Sequence, residues 1–264
     1  MIYIKRTQEP SCLKKDTLSA GYLETQRAIS HYSSKKTEEF NFIVYKDVKE
    51  ELVNMFNGKC AYCETKIVDT QYPHIEHYRP KGKIVGEPIK DPGYYWLASD
   101  WENLLLACQV CNGQEFKGNH FPLKVTANRV KDHTGNVENE EPLLINPCIE
   151  EHPEDHFRFT DNGEIIGIDD LGKTSIEVYG LHRPNLIQSR FEHLLDINLH
   201  LDNLQTLINL MDGINEESKF DKVVAQIRNI IKHLKSFKNA EAKYAAMTRD
   251  FIDKRFIDLI HLLE

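Results

Sequence analysis

Four of the six cysteines form two C-x-x-C pairs, Cys60/Cys63 and Cys108/Cys111. A C-x-x-C turn places two thiolates on one side of a metal ion, and two such turns complete the tetrahedral shell of a structural zinc. A redox C-x-x-C motif is the competing interpretation, but redox chemistry does not need a second pair, and an iron-sulfur cluster is favoured less. The spacing therefore predicts a structural Zn²⁺ held by all four cysteines, with a sizeable insertion between the pairs.

The composition is typical of a folded globular chain. At 264 residues, the chain is long enough for one large domain or two small ones. No apolar run reaches the roughly 20 residues of a membrane helix, and the first residues lack the apolar stretch of a signal peptide. We therefore expect a cytoplasmic protein without membrane contact. The formal net charge of -8 opposes binding to nucleic acid, so a local basic patch or a partner protein must offset it.

Residues 1–57 are predicted to form an N-terminal part containing a strand and helices. Ile2 to Ile4 is a short strand candidate, and a weak helical pattern follows near residues 22–30. From Glu38 to Phe56 the apolar residues recur at three- and four-residue spacing, which predicts a helix. Gly58 supplies a C-terminal stop for it.

The remainder of the chain divides at residue 184. Residues 58–183 hold both cysteine pairs and then a predicted β-hairpin, His156 to Ile168, which turns at Asn162-Gly163. Residues 184–264 carry three successive apolar faces at helical spacing, which predicts a mostly α-helical C-terminal region. The predicted fold class is α+β.

The insertion between the cysteine pairs carries a further pattern. Glu76-His77-Tyr-Arg-Pro80 is followed by Asn103-Leu104, by Asn112 directly after the last cysteine, and by Lys117. This order resembles the zinc-stapled HNH (ββα-metal) nucleases from about Cys60 to Lys117. The resemblance implies a zinc-stapled ββα-metal core with flanking helices. In it, Asn103 holds the loop that carries His77, and Asn112 stands at the start of the following helix.

Phosphodiester hydrolysis explains why such residues occur together. The reaction needs a deprotonated water and a hard cation that stabilises charge on the phosphate and on the leaving oxygen. His77 is the natural general base, because an imidazole can accept a proton at neutral pH. Glu76 and Asn112 are the predicted metal ligands, and His120 is an alternative ligand. Because these ligands are rich in oxygen, the set favours Mg²⁺ or Mn²⁺.

Two departures from the commonest HNH pattern concern the metal ligands. Asn112 stands where histidine is frequent, and Glu76 stands where aspartate is frequent; both residues can still bind a metal ion. Adjacent strand residues point to opposite faces, so Glu76 and His77 share a site only where the strand ends or bulges. Pro80 favours a strand end at this position.

Four cations surround the predicted site. Such residues are usually ordinary surface charges, but near a phosphodiester site they are candidates for phosphate contacts. The predicted nucleic-acid-binding residues are Arg79, Lys81, Lys83 and Lys117.

Several longer segments narrow the resemblance. They are Met1 to Arg6, Ile75 to Lys81, Trp101 to Cys108, Leu143-Leu-Ile-Asn-Pro-Cys148 and Val178 to Leu186. They resemble the PtuB-type HNH nucleases of the Septu anti-phage system, which also occur beside retrons. The resemblance implies a role in bacterial defence together with a PtuA ATPase of the ABC/SMC-like class, and it leaves retron components as candidate partners. Such a partnership would account for the acidic net charge.

Two other classes of function stay open from the sequence. A noncatalytic zinc-stapled adaptor or nucleic-acid-binding module would keep the four cysteines and would not need His77. A redox or iron-sulfur protein would show colour or thiol reactivity without divalent-metal activity. The set formed by Glu76, His77, Asn103 and Asn112 favours the enzyme over both. Whether the target is DNA or RNA is left open, because a site that reads the phosphate backbone does not identify the sugar.

Overall fold

A computed structural model describes residues 1–34, 38–68, 72–88, 91–211 and 213–261 of the chain. It confirms a mixed α+β fold with a helical C-terminal region. The helices and strands are α1 (Ala20–Ser33), α2 (Lys49–Met55), β1 (His74–His77), β2 (Leu104–Ala107), β3 (Phe157–Phe159), β4 (Ile165–Gly167), α3 (Asp170–Tyr179), α4 (Pro184–Met211), α5 (Glu217–Phe237) and α6 (Ala245–His261).

The strand predicted at Ile2 to Ile4 is not formed. Ile2 and Ile4 are buried, and the Ile4 amide donates to the carbonyl of Pro147 at 2.8 Å. Pro147 lies in a loop, so this contact does not extend into a ladder of strand hydrogen bonds. The apolar residues of this segment therefore pack in the core and do not pair in a sheet.

The helix predicted from Glu38 to Phe56 is shorter than expected. A 3₁₀ turn at Val44–Val48 leads directly into α2, and residues 39–43 are not helical. The buried carboxylate of Glu24 accepts the amide of Ile43 at 2.9 Å and that of Val44 at 3.3 Å. These bonds satisfy amides that open the first turn, so the helical stretch begins there. Gly58, at φ +65°, follows the end of α2 as predicted.

Strands β1 and β2 pair antiparallel and carry the predicted site. Their register places His74 opposite Ala107 and His77 opposite Leu104. All four residues of β2 are buried, so this strand runs through the core. The cysteine pair at Cys108 follows one end of the sheet, and His77 stands at the other end.

The helix expected after Asn112 is not present, because residues 109–119 form consecutive turns. The Lys117 amide donates to the carbonyl of Cys111 at 3.1 Å, which closes a loop wider than a helical turn. Gly118 has φ +33°, outside the helical region. Of the expected ββα core, the two strands are therefore present, and the helix after Asn112 is not.

Apart from α3, which the sequence did not predict, the remaining elements agree with the expectations. Strands β3 and β4 form the predicted hairpin, with Gly163 at φ +82° in its turn. Helices α4, α5 and α6 follow, with breaks near the positions expected from residues 213–215 and 239. One continuous hydrophobic core joins residues from all three parts of the chain. No helix within the described ranges is long and apolar enough to cross a membrane.

Candidate metal centre and active site

The four cysteines of the two pairs form a single buried cluster. Their sulfur atoms all lie within 4.8 Å of one another. The Sγ atoms of Cys63 and Cys108 are 3.9 Å apart, close to the edge of about 3.8 Å that a tetrahedral zinc site with bonds of about 2.3 Å requires. A disulfide would need sulfur atoms about 2.05 Å apart. The cluster could therefore hold zinc, as the spacing predicted, with all four positions supplied by the protein.

Backbone hydrogen bonds bring the two pairs together. The first pair lies in a tight turn in which the Glu64 amide donates to the carbonyl of Cys60 at 3.0 Å. The Ala61 amide in that turn donates to the carbonyl of Leu106 in β2 at 2.7 Å. Because Cys108 directly follows β2, this bond holds the first pair against the second.

Arg183 is a neighbour of this cluster that the sequence patterns did not single out. Its guanidinium donates to the Sγ of Cys111 at 3.4 Å and to the carbonyl of Gly180 at 2.7 Å. A cation here offsets the negative charge that four thiolates bring to one metal ion. Arg183 lies in the segment Val178 to Leu186, which contributed to the family resemblance. Nothing in that segment indicated a contact with a cysteine.

A polar cleft of about 710 Å³ opens at the other end of the β1–β2 pair. Its walls come from the end of β1, from the loop around Lys83, and from the turns that follow the second cysteine pair. The cleft brings together six of the residues predicted for the site, namely Glu76, His77, Lys81, Lys83, Asn112 and His120.

His77 is the last residue of β1 and is 6% exposed. Its Nε2 lies 2.9 Å from the carbonyl oxygen of Ala98. A carbonyl only accepts, so Nε2 must carry the proton, and Nδ1 is left as an acceptor. Among the described residues Nδ1 has no hydrogen-bond partner. Burial, helped by the charge of Lys81, lowers the pKa of His77 to about 3, so the imidazole is neutral at neutral pH.

Glu76 lies beside His77 and is 3% exposed. Its Oε1 is 3.1 Å from the Nζ of Lys117 and 3.4 Å from the hydroxyl of Tyr62. Its Oε2 has no such partner within the described part of the chain. Burial raises the pKa of Glu76 and lowers that of Lys117, and their mutual attraction opposes both shifts.

Lys117 was predicted to contact phosphate, and the structure places it elsewhere. Its side chain is 0% exposed and lies inside the protein against Glu76. The Nζ also lies 3.4 Å from the carbonyl oxygens of His77 and Gly118. Because the ammonium group is enclosed by protein acceptors, it supports the end of β1 and cannot reach a nucleic acid in this conformation.

Arg79 is likewise outside the cleft. Its Nε pairs with the carboxylate of Glu140 at 3.0 Å, and its NH2 group donates to the carbonyl of Val137 at 3.1 Å. The guanidinium also lies 5.3 Å from the ring centre of Phe121. These partners occupy the side chain, so the predicted phosphate contact is not available to it.

Asn103 lies behind the cleft and links the two ends of the long β1–β2 connection. Its Oδ1 accepts the amide of Arg79 at 2.7 Å, and its Nδ2 donates to the carbonyls of Arg79 at 2.9 Å and Leu97 at 3.1 Å. The first two bonds fix the backbone two residues after His77. The third fixes the segment next to Ala98, the hydrogen-bond partner of His77.

The other cleft residues carry free polar groups. Asn112 is half-buried, and its side-chain amide has no hydrogen-bond partner among the described residues. The Nδ1 of His120 lies 3.3 Å from the carbonyl oxygen of Lys117, which leaves Nε2 available. Lys81 is half-buried and Lys83 is exposed, and burial lowers the pKa of Lys81.

Fold and site together define a protein with a buried cluster of four cysteines that could hold a metal ion, joined by a short sheet to an open polar cleft. No protein-family model and no solved structure matches the chain. Among curated proteins, it is 38% identical over 275 residues to the Septu protein PtuB of Bacillus mycoides (strain KBAB4), which covers 97% of this chain and 92% of that protein. The chain belongs to the Septu PtuB family.

Two further relatives carry Septu names. The Septu protein PtuB of Bacillus thuringiensis is 27% identical over 216 residues, covering 81% of this chain and 67% of that protein. The Septu protein PtuA of Bacillus mycoides (strain KBAB4) is 27% identical over 182 residues, covering 67% of this chain. That match spans only 25% of the PtuA protein, so the likeness is to a part of it.

Proposed function

We propose that this protein is a divalent-metal-dependent HNH endonuclease, the nuclease component of a Septu anti-phage defence system that acts with a PtuA-type ATPase. The observation that carries the proposal is the state of His77. Its Nε2 is fixed by the carbonyl of Ala98, its Nδ1 has no partner among the described residues, and His77 lines a cleft together with Glu76, Asn112 and two lysines. Membership of the Septu PtuB family supports the defence role and the partner.

In this proposal His77 accepts the proton of the attacking water through Nδ1. The neutral imidazole can accept a proton at Nδ1, although a pKa of about 3 makes His77 a weaker base than an ordinary imidazole. Asn103 keeps the ring in place indirectly, through its bonds to Arg79 and Leu97. Lys81 and Lys83 are the cations that face the cleft and can contact a phosphate there.

The cleft residues also offer ligand atoms that a hard divalent ion prefers. The Oε2 of Glu76 and the side chain of Asn112 offer oxygen ligands without other partners, and the Nε2 of His120 can complete the set. Bound Mg²⁺ or Mn²⁺ would supply the Lewis acid that stabilises charge on the phosphate and the leaving oxygen. The four cysteines are soft and fully enclosed, so their site suits zinc and contributes to folding.

The partner is part of the proposal for an electrostatic reason. With a net charge of -8 and with Arg79 and Lys117 engaged internally, the cleft keeps few cations for nucleic acid. We therefore expect weak binding of substrate by the chain alone and stronger binding in a complex with the ATPase.

The test is cleavage of plasmid, single-stranded DNA and transfer RNA with Mg²⁺ or Mn²⁺, with and without the companion ATPase. His77→Ala should lower the rate by about 10²–10⁴-fold, the usual contribution of a general base. His74→Ala is the matched control, since His74 lies on the same strand but does not line the cleft. Equal rates for both variants would exclude His77 as the base. Wild type without activity on any substrate would instead favour the noncatalytic zinc-stapled adaptor.

A further inference from the structure

Glu24 in α1 is a buried carboxylate that the proposed chemistry does not use. It is 1% exposed and does not line the polar cleft. Among the described residues its hydrogen-bond partners are two backbone amides and one hydroxyl, and none of them is a cation. Burying a carboxylate without a cation is costly unless hydrogen bonds replace those of water. The bonds that do so here lead to both neighbours of the His77 ring.

The first bond leads to the carbonyl that holds His77. The hydroxyl of Ser99 donates to the Oε2 of Glu24 at 2.8 Å, and Ser99 is only 5% exposed. The carbonyl of Ala98 belongs to the peptide unit that ends at Ser99, and its oxygen lies 2.9 Å from the Nε2 of His77. Because a peptide unit is planar, a bond that fixes Ser99 restrains the direction of the Ala98 carbonyl.

The other bonds of Glu24 lead to the aromatic neighbour of His77. The Oε1 atom accepts the amide of Ile43 at 2.9 Å and that of Val44 at 3.3 Å. The next residue is Tyr45, whose ring meets the imidazole edge to face, with ring centres 4.7 Å apart and an interplanar angle of 72°. The carboxylate therefore also fixes the backbone that places this ring against His77.

We propose that Glu24 is a positioning residue for His77. Its two oxygens tie the segment that carries Tyr45 to the segment that carries Ala98, and the imidazole is held between these two segments. The inference rests on the proposed function of His77 as the general base, and it extends that site to α1. Glu24 acts through its neighbours and touches no reacting atom.

The test follows the Nε2 proton of His77 by ¹⁵N nuclear magnetic resonance in the full chain. Ser99→Ala removes one hydroxyl and leaves the amide bonds of Glu24 in place. Exchange of the Nε2 proton with water should become about tenfold faster, the scale of one ordinary hydrogen bond. Ser175→Ala is the matched control, because Ser175 is also buried and its hydroxyl also makes one bond, from the Ile145 amide at 2.9 Å. This control should leave the exchange unchanged.

Two variants of Glu24 complete the test. In Glu24→Gln, the amide oxygen can accept from Ile43 and the amide nitrogen can donate to the Ser99 hydroxyl, so the exchange should stay close to wild type. Glu24→Met has a similar length and neither group, so it should accelerate the exchange at least as much as Ser99→Ala. It takes the place of Ser99→Ala if that variant does not fold.

Cleavage rates separate positioning from a general structural role. Ser99→Ala should lower kcat about tenfold through a small displacement of the base, with KM unchanged. In the His77→Ala background the same substitution should have no further effect, because a positioning residue acts through the residue that it holds. A structural role alone would lower the rate by the same factor in both backgrounds.

Equal exchange rates in Ser99→Ala and Ser175→Ala would overturn the proposal, and so would equal losses of kcat in both backgrounds. The exchange measurement needs no cleavage. A chain without nuclease activity would count against the proposed function, whereas an unchanged exchange rate in an active nuclease would count against the role of Glu24 alone.

Discussion

Polar side chains are enclosed at one end of the β1–β2 pair and open to a cleft at the other. At the Cys108 end, four sulfur atoms face one another in a closed and buried cluster. At the His77 end, Glu76 and His77 line an open cleft, and the Oε2 of Glu76 and the Nδ1 of His77 have no partner among the described residues. Closed ligand sets are typical of structural metals, and open ones are typical of reacting sites. Under the proposed function, the sheet separates an end that serves stability from an end that carries the chemistry.

The largest effect should come from the closed end. Cys108→Ser, or removal of zinc by a strong chelator, should abolish the cooperative thermal transition measured by circular dichroism. Structural zinc contributes an apparent free energy of about 10–16 kcal/mol in zinc-finger peptides. Cys12→Ser is the control, since Cys12 lies outside the cluster and should leave zinc content and melting unchanged. A Cys108→Ser variant that melts like wild type would remove the structural role from this end.

A substitution of Lys117 tests whether buried contacts stabilise the His77 end of the sheet. Lys117→Met leaves the Glu76 carboxylate buried without its cation, and breaking such a pair costs about 3–5 kcal/mol. Lys83→Met, at an exposed cleft position, should change the free energy of unfolding by less than about 0.5 kcal/mol. Both values are measured by urea unfolding. If Lys117→Met retained wild-type stability and only weakened DNA binding, the lysine would be a phosphate contact as first predicted.

A smaller loss of stability should follow from Asn103→Ala. The change removes three hydrogen bonds and leaves buried backbone groups unpaired, which costs about 1–3 kcal/mol in urea unfolding. Asn103→Asp keeps the acceptor for the Arg79 amide and should lose part of that amount. Asn128→Ala, at an exposed asparagine, is the control. Equal stability of Asn103→Ala and Asn128→Ala would contradict a holding role for Asn103.

The weakest effect, absent at neutral pH, concerns His193 in α4. Burial lowers the pKa of His193 from 6.5 to about 4, and Lys243 adds to this shift while Asp196 opposes it. Between pH 6.5 and about pH 4, His193 is therefore protonated in the unfolded chain and neutral in the folded chain. The free energy of unfolding should fall as the pH drops through this window.

His193→Gln should remove that component of the pH dependence, measured by urea unfolding at a series of pH values. His200→Gln, at a half-buried histidine on the same helix, should retain it. If the two variants show the same pH dependence, the neutral state of His193 is not a source of stability.

The sequence predicted the local features of both ends better than the long-range ones. The clustering of the cysteines followed from C-x-x-C spacing, because each turn positions its own two thiols. The end of β1 at His77 agreed with the expectation from Pro80. Gly113 and Gly118 are local signals for turns after Asn112. The expectation of a helix there followed the HNH resemblance instead and was wrong.

Arg79 and Lys117 show what the pattern could not reveal. Both are cations beside a predicted phosphodiester site, and that position favoured an exposed role. Their burial depends on Glu140 and Glu76, which are brought to them by tertiary packing. A charge that pairs across the fold has no signature in the spacing of its own segment.

The most direct test of the contrast between the two ends is Mn²⁺ binding to the zinc-loaded chain, followed by electron paramagnetic resonance. The account predicts saturable Mn²⁺ binding that Asn112→Ala weakens and Asn119→Ala does not, with the zinc content of both variants unchanged. Asn119 is a fair control because it also lines the cleft and is proposed to hold no ion. Mn²⁺ binding that is absent, or that is the same in both variants, would contradict an open metal site at the His77 end.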